Sequence, residues 1–197
     1  MFEFFLKGGI IMWLILLCSV ISITIILERF YYFFRARTKI PNILARVKKL
    51  LQQGKANEAL KLCESSSGPI PHILGIGIHI RNRSLEDKEK LISRAGSKII
   101  RQFDQNLGVL AVIANIAPLL GLLGTVTGMI KAFMKIQQLS GRVEPCVLAG
   151  GIWEALITTA FGLSVAIPTL VAYHYFEGRV DNLSSKMKDM SMEFLDI

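Results

Sequence analysis

The chain has 197 residues, of which 52% are hydrophobic and 19% are charged, and its formal net charge is +8. This apolar content is too high for an ordinary soluble domain, whereas the charged fraction requires that parts of the chain meet water. The basic residues flank apolar runs and do not form one basic face with interleaved aromatic residues, which argues against nucleic-acid binding and favours a membrane protein.

The first apolar run covers residues 8–27, twenty residues without a charge, and an aromatic cluster follows at residues 30–34. Twenty such residues can cross the hydrocarbon core of a bilayer as a helix. A cleaved signal peptide would have a shorter apolar core and a small-residue cleavage site, so we predict a retained anchor. Residues 1–34 are therefore assigned to an N-terminal segment and the first transmembrane helix, with Glu28 and Arg29 as a simple ion pair at its inner edge.

Residues 35–104 are predicted to form helices on the cytoplasmic side of the membrane. Apolar residues at helical spacing indicate an amphipathic helix over residues 43–51, which ends at Gly54. A shorter helix over residues 57–64 is followed by a helix-breaking stretch, residues 65–71, that is rich in serine, glycine and proline.

A third helix of this region is predicted to start at Ser84, where Asp87 three residues later resembles a capping box. One apolar stripe then continues into the next membrane span; its members are Ile92, Ala95, Ile99, Phe103 and Leu107. The stripe predicts a single helix from about residue 85 to beyond residue 130, roughly 70 Å long at 1.5 Å per residue.

The second transmembrane helix is assigned to residues 105–134, because residues 105–130 contain no charge. Small residues recur every three or four positions on one side of it: Ala114, Ala117, Gly121, Gly124 and Gly128. Such a face, with its G-x-x-x-G pair, is typical of close helix packing in membranes. Pro118 lies within the same helix.

The third transmembrane helix is assigned to residues 146–176, after a short periplasmic loop at 135–145 and before a cytoplasmic tail at 177–197. It repeats the small-residue pattern with Ala155, Thr159, Gly162, Ala166 and Thr169. Its one charge is Glu154, and a charge at mid-bilayer costs roughly 2.5–3.5 kcal/mol. Glu154 either lies at the outer interface, solvated and inert, or well inside a hydrated bundle.

The Lys/Arg distribution sets the orientation of the spans. Basic residues are dense in the region between the first and second spans and sparse in the loop between the second and third. The positive-inside rule therefore places the N-terminus outside the cytoplasm and the C-terminal tail in the cytoplasm.

Four threonines accompany the small-residue faces: Thr125, Thr127, Thr158 and Thr159. Each could bond only to its own helix, or the set could line a polar pathway. A proton path needs a titratable group near mid-membrane, and the first two spans have none, so a second protein would have to supply another carboxylate. No metal cluster, cofactor motif or enzyme motif is present, and Cys18, Cys63 and Cys146 are isolated.

Two stretches, residues 115–130 and 151–168, resemble the second-span and third-span signatures of the MotA/TolQ/ExbB proton-channel family, in its three-span TolQ/ExbB branch. The resemblance implies a bacterial inner-membrane subunit that forms a homo-oligomeric ring, a pentamer, lined by the second and third spans. Glu154 matches the family's functional acid, Thr125 and Thr159 its pore threonines, and Pro118 and Pro168 its helix-shaping prolines. His174 departs from the asparagine frequent in relatives, which leaves the inner exit of the pathway open.

The resemblance also implies partners, namely an ExbD/TolR-like single-span protein with a membrane aspartate and a TonB/TolA-like energy transducer, together with membrane lipid. It implies coupling of the proton motive force to transport across, or maintenance of, the outer membrane, and no enzymatic activity. Two alternatives are a non-conducting scaffold and a flagellar-stator-like relative, although the stator branch has four spans. The motifs do not separate ExbB-like from TolQ-like roles or protons from sodium ions.

Overall fold

The computed structural model describes residues 9–36, 43–66, 68–138 and 145–195. Within these ranges the regular structure is helical and no strand occurs, which confirms the predicted all-α class. The helices are α1 (Gly9–Arg35), α2 (Ile43–Gln52), α3 (Ala56–Glu64), α4 (Pro69–His79), α5 (Leu85–Asp104), α6 (Leu107–Gln138) and α7 (Pro145–Leu195). Three helical stretches of the described chain are long and apolar enough to cross a membrane, as predicted. Residues 139–144, in the predicted periplasmic loop, and the side chain of Cys146 lie outside the described part.

The chain divides into two compact units. The membrane unit combines residues 1–27 with 106–175, and the extramembrane unit combines residues 28–105 with 176–197. The membrane unit contains the uncharged runs of the predicted spans, whereas the extramembrane unit holds most of the charged residues.

In the membrane unit, α1 buries one narrow face. Met12 and Ile15 are each 1% exposed and Ile25 is 8% exposed. At about 100° per residue they span roughly 140° of the helix circumference, so the buried stripe covers less than half of it. Trp13 and Leu17, on the remaining surface, are exposed, so most of α1 offers large apolar side chains to its surroundings. This is the distribution expected of a helix that faces lipid.

The extramembrane unit has a conventional apolar core. Its buried side chains come from all of its helices, and they include Val47, Ala59, Leu74, Ile92 and Met187. Phe33 lies between Phe103, at a ring-centroid distance of 5.2 Å, and Phe176, at 5.5 Å. Of the aromatic cluster that follows the first apolar run, Tyr32 and Phe33 contact rings of this core, whereas Phe30, Tyr31 and Phe34 are exposed.

Two predicted helix boundaries agree with the structure. The hydroxyl of Ser84 accepts a hydrogen bond of 3.2 Å from the Asp87 N–H and donates one of 2.9 Å to Asp87 Oδ2, which caps α5. Gly54 has a φ of +74°, a conformation that stops α2. The predicted helix-breaking stretch, residues 65–71, is too long, because α4 already begins at Pro69. Proline is favoured at the first position of a helix.

The prediction of a single helix from residue 85 to beyond 130 is wrong, because the helix is interrupted at Gln105 and Asn106. α5 ends at Asp104 and α6 begins at Leu107. Gln105 is extended, with a ψ of 136°, and Asn106 has a φ of 65°, which asparagine tolerates better than most side chains. Phe103, before the interruption, and Leu107, after it, are both buried.

Arg29 has a larger structural role than the expected ion pair. The pair with Glu28 is present, at 2.6 Å. Arg29 is also 2% exposed, and its Nη1 donates to the carbonyl oxygens of Gln102, at 3.0 Å, and Phe103, at 3.4 Å. These carbonyls belong to the last turn of α5, where no following helical N–H donates to them. Arg29 therefore caps the C-terminus of α5.

Candidate functional site

The small-residue faces of α6 and α7 pack directly against each other in the membrane unit. Gly121, Gly124 and Gly128 of α6 are buried, and so are Ala155 and Gly162 of α7. The predicted faces are thus the inward faces of the two helices, and large apolar residues occupy their outer surfaces.

The contacts leave no room for an added methyl group. A Cβ at Gly121 would lie 3.0 Å from the Cα of Thr159, and one at Gly162 would lie 2.6 Å from the carbonyl oxygen of Ala117. A Cβ at Gly124 would lie 2.6 Å from the Cβ of Thr158. Backbone therefore meets backbone at Gly121 and Gly162, and Gly124 meets the Thr158 side chain, as expected for small-residue packing in membranes.

The interface extends one turn beyond the predicted faces. A Cβ at Gly151 would lie 2.6 Å from the Cβ of Ala132, and one at Gly128 would lie 3.1 Å from that of Ala155. Gly151 and Ala132 were not predicted to take part. Ala132 follows Gly128 by four residues, and Gly151 precedes Ala155 by four residues. Both therefore continue the small-residue patterns, and the sequence spacing could have predicted their part in the interface.

Thr159 forms a hydrogen bond between the two helices. Its hydroxyl is half-buried and donates to the carbonyl oxygen of Gly121 at 3.0 Å. Thr125, also half-buried, lies one turn after Gly121 on α6, and its hydroxyl donates to Leu122 O at 2.6 Å. Thr159 thus makes a tertiary contact, whereas Thr125 bonds to its own helix.

The other two threonines bond to their own helices. Thr158 is 1% exposed and donates to the carbonyl oxygen of Ala155 at 2.7 Å. Thr127 donates to the carbonyl oxygens of Leu123, at 2.9 Å, and Gly124, at 3.1 Å. For these two residues the structure favours local bonding within the helix.

Glu154 lies next to a cation of α6. Its Oε1 is 3.7 Å from the Nζ of Lys131, and its side chain is 28% exposed. Lys131 lies inside α6, within the predicted second span, and α6 extends to Gln138.

Glu154 and Thr159 occupy different sides of α7. Five residues separate them, which corresponds to about 140° around a helix axis at 3.6 residues per turn. Thr159 contacts Gly121, whereas Glu154 contacts Lys131. Within one subunit, the predicted pathway residues are therefore divided between two flanks of the α6–α7 interface.

Pro118 and Pro168 lie inside α6 and α7, and both helices continue past them. A proline has no N–H, so each removes one hydrogen bond from its helix. His174, near the end of the membrane unit, is exposed, and its ring centroid lies 5.1 Å from that of Tyr173. Within the described residues, no three side chains of metal-binding type cluster.

Residues 49–189, which include both packed helices, match the MotA/TolQ/ExbB proton channel family. The chain belongs to this family. A biopolymer transport ExbB homolog from Methanothermobacter thermautotrophicus is 32% identical over 187 residues, which cover 94% of this chain and 66% of the homolog.

Two bacterial relatives in the MotA/TolQ/ExbB family are similar over most of their length. Biopolymer transport protein exbB1 of Vibrio cholerae is 27% identical over 91% of this chain and 80% of its own. Biopolymer transport protein ExbB of Neisseria meningitidis is 29% identical over 90% of this chain and 86% of its own. These similarities support an ExbB/TolQ-type membrane subunit, in a family of transport and channel proteins.

Proposed function

We propose that this chain is a subunit of a proton-driven motor in the bacterial inner membrane. Several copies, five in the favoured arrangement, form a ring whose inner wall consists of α6 and α7. Proton flow through the ring is coupled to motion of a partner, and this motion energises transport across the outer membrane or maintenance of that membrane. The N-terminus is periplasmic and the C-terminus cytoplasmic.

The position and surroundings of Glu154 are the main support for this proposal. It is the one acidic residue between positions 145 and 176 of a chain from a proton-channel family. Its carboxylate is 28% exposed in the isolated subunit and pairs with Lys131 at 3.7 Å. A partly exposed carboxylate in a membrane helix typically faces a bundle interior or a wet cavity. Glu154 is therefore our candidate for the proton-carrying group.

The division of the site between two flanks supports a ring. In a closed ring, each subunit presents one flank of its α6–α7 interface to each neighbour. Thr125 and Thr159 would then line the pathway with hydroxyl groups, while Glu154 exchanges protons. An ExbD/TolR-like protein with one span supplies the second carboxylate, an aspartate, and a TonB/TolA-like transducer receives the motion.

The proposal is tested by reconstituting the full chain with its single-span partner in liposomes. A membrane potential is imposed, and proton entry is followed with a pH-sensitive dye. The Glu154→Gln variant should lose most of the flux, while Glu193→Gln should retain it. Glu193 is the matched control, because it also pairs with a lysine, Lys48 at 3.4 Å, but lies in the extramembrane unit. Unchanged flux in Glu154→Gln would remove Glu154 from the mechanism.

A second arm of the same assay separates the ions. Liposomes with a sodium gradient and no pH gradient report sodium-driven flux, and liposomes with a pH gradient alone report proton flux. We expect flux only in the second case.

The tight α6–α7 packing also favours a second candidate, a scaffold subunit that conducts no ions. A scaffold would tolerate near-isosteric changes that remove a hydroxyl, provided the oligomer assembles. The Thr125→Val variant removes the hydroxyl that bonds only to its own helix, so its effect on assembly should be small. Loss of flux with an intact oligomer supports the motor, and unchanged in vivo activity supports the scaffold.

A further inference from the structure

The ammonium of Lys131 lies where three helices of the membrane unit approach one another. Lys131 belongs to α6, and its Nζ is 3.7 Å from Oε1 of Glu154 on α7. A Cβ built at Gly9, the first residue of α1, would lie 3.7 Å from the same Nζ. The carboxylate of Glu154 therefore has a cation of its own chain on one side, beside the start of α1.

Few charges accompany this pair in the described part of the membrane unit, which covers residues 9–27, 106–138 and 145–175. The charged side chains of these ranges are Lys131, Lys135 and Glu154. Lys135 lies one turn further along α6, is exposed, and forms no ion pair within the described residues. Lys131 is therefore the cation that compensates the charge of Glu154, and no second acid of these ranges is left to attract another cation.

This compensation affects a sodium ion and a proton differently. Sodium is a hard cation, which is held by electrostatic attraction to several oxygen ligands. Two unit charges about 4 Å apart repel each other by several times the thermal energy, even at an effective dielectric constant of about 20. A sodium ion brought to Glu154 meets this repulsion from Lys131, whereas a proton forms a covalent bond with one carboxylate oxygen and needs no coordination shell. The paired carboxylate is therefore a poor sodium site that can still accept a proton.

We propose that Lys131 determines the ion specificity of the pathway by excluding sodium and other metal cations from Glu154. The inference rests on the proposed function, in which Glu154 is the proton-carrying group. Lys131 acts through Glu154 and carries no ion itself, so it is a positioning residue. Its positive charge is the property on which the specificity depends, and the shape of its side chain is secondary.

Sodium entry into liposomes tests the specificity. The full chain is reconstituted with its single-span partner, a membrane potential is imposed without a pH gradient, and a sodium-sensitive dye reports the flux. Lys131→Met removes the charge from a side chain that is 65% exposed, so the fold should tolerate it. Sodium entry should rise about tenfold or more over the unmodified chain, since this increase requires only part of the repulsion between the two cations. Lys131→Arg keeps a cation and should exclude sodium like the unmodified chain.

Two further variants make the result specific to the pair. Lys135→Met is the matched control and should leave sodium entry unchanged, because it removes an exposed cation of the same helix that pairs with no described acid. Lys131→Met/Glu154→Gln should lose the added sodium entry, because the sodium ion binds at Glu154. The inference is overturned if Lys131→Met excludes sodium, if Lys135→Met admits it equally, or if the unmodified chain conducts sodium as readily as protons.

Failure of this inference differs from failure of the proposed function. If the unmodified chain conducts protons and Lys131→Met still excludes sodium, only the role of Lys131 is lost. If the unmodified chain conducts no protons, the proposed function fails, and sodium binding is then measured without flux. Sodium chloride, compared with choline chloride at equal concentration, should raise the melting temperature of Lys131→Met in detergent, because a ligand of the folded state stabilises it. The unmodified chain and Lys131→Met/Glu154→Gln should show no such shift, and an unshifted Lys131→Met variant would overturn the inference.

Discussion

The hydroxyl of Thr159 donates a hydrogen bond to the carbonyl oxygen of Gly121, 38 residues earlier in the chain, at 3.0 Å. The bond joins α6 and α7 at a point where an added methyl group at Gly121 would lie 3.0 Å from the backbone of Thr159. A residue proposed for the ion pathway is therefore also part of the helix–helix interface. Functional tests at this position must measure assembly as well as flux.

The first prediction concerns Thr159 itself. Thr159→Val should lower the free energy of unfolding by about 0.5–1.5 kcal/mol, because the interhelical hydrogen bond is lost while the shape is kept. Thr159→Ser keeps the hydroxyl and should retain most of the bond. Denaturant unfolding in detergent measures the stability, and native mass spectrometry reports the oligomer. Equal stability of the Val variant and the unmodified chain would contradict the prediction.

Gly162 provides a test of the packing. Gly162→Ala should destabilise the membrane unit by about 1–3 kcal/mol, since its Cβ would lie 2.6 Å from the carbonyl oxygen of Ala117 and the helices must move apart. Gly108→Ala is the matched control within α6, because a Cβ there meets nothing within 4 Å. Alanine favours a helix over glycine, so the control should unfold at the same or a slightly higher temperature. A tolerated Gly162→Ala would show that the helices pack less closely than described.

Arg29→Met should weaken the C-terminus of α5. The variant loses charged hydrogen bonds to the carbonyl oxygens of Gln102 and Phe103, at a cost of about 1.5–3 kcal/mol. Arg29→Lys should recover only part of the loss, because an ammonium group lacks the planar fork of a guanidinium. Hydrogen exchange followed by mass spectrometry should show faster exchange of amides in the last turn of α5. Exposed Arg46→Met is the control and should leave this exchange unchanged.

Cys63 should react slowly with alkylating reagents. Burial and the charge of Glu64 raise the pKa of the Cys63 thiol from 9.0 to about 11. At pH 8 the thiolate population is then about one hundredth of that of a thiol with the ordinary pKa, and the thiolate is the reactive form. The alkylation rate should rise with pH until about pH 11. Iodoacetamide labelling of a chain with Cys18→Ser and Cys146→Ser, followed by mass spectrometry, measures this rate.

The control for Cys63 places a thiol two residues away. Ser65→Cys, in a chain whose three native cysteines are replaced by serine, gives an exposed thiol just after the end of α3. It should be labelled far faster at pH 8. Equal rates for the two thiols would contradict the raised pKa of Cys63.

The sequence predicts local features of this fold better than contacts between distant segments. Hydropathy identifies the three spans, and the spacing of Gly121, Gly124 and Gly128 identifies the buried face of α6, because both depend only on neighbouring residues. Ser84 is identified as a cap for the same reason. The interruption at Asn106 is missed, because the apolar stripe continues across it and asparagine is compatible with either conformation.

Contacts between distant helices could not be predicted from the sequence and are known only from the tertiary structure. Arg29 bonds to carbonyl oxygens more than 70 residues later in the chain, and no periodic sequence pattern predicts such a partner. The pairing of Lys131 with Glu154 depends on the register between α6 and α7. The sequence therefore indicates which residues belong to the candidate site, while the division of the site between two flanks follows only from the helix packing.

Packing of α6 against α7 through glycine and alanine lowers the conformational entropy cost of pairing the two helices. These residues have no side-chain rotamers to lose, so pairing the two helices costs little conformational entropy. Long side chains at the same contacts would each be immobilised at a cost of up to about 2 kcal/mol. The two helices therefore form a stiff pair within a single polypeptide, so that, in the proposed ring, each copy would present a surface that is ordered before assembly.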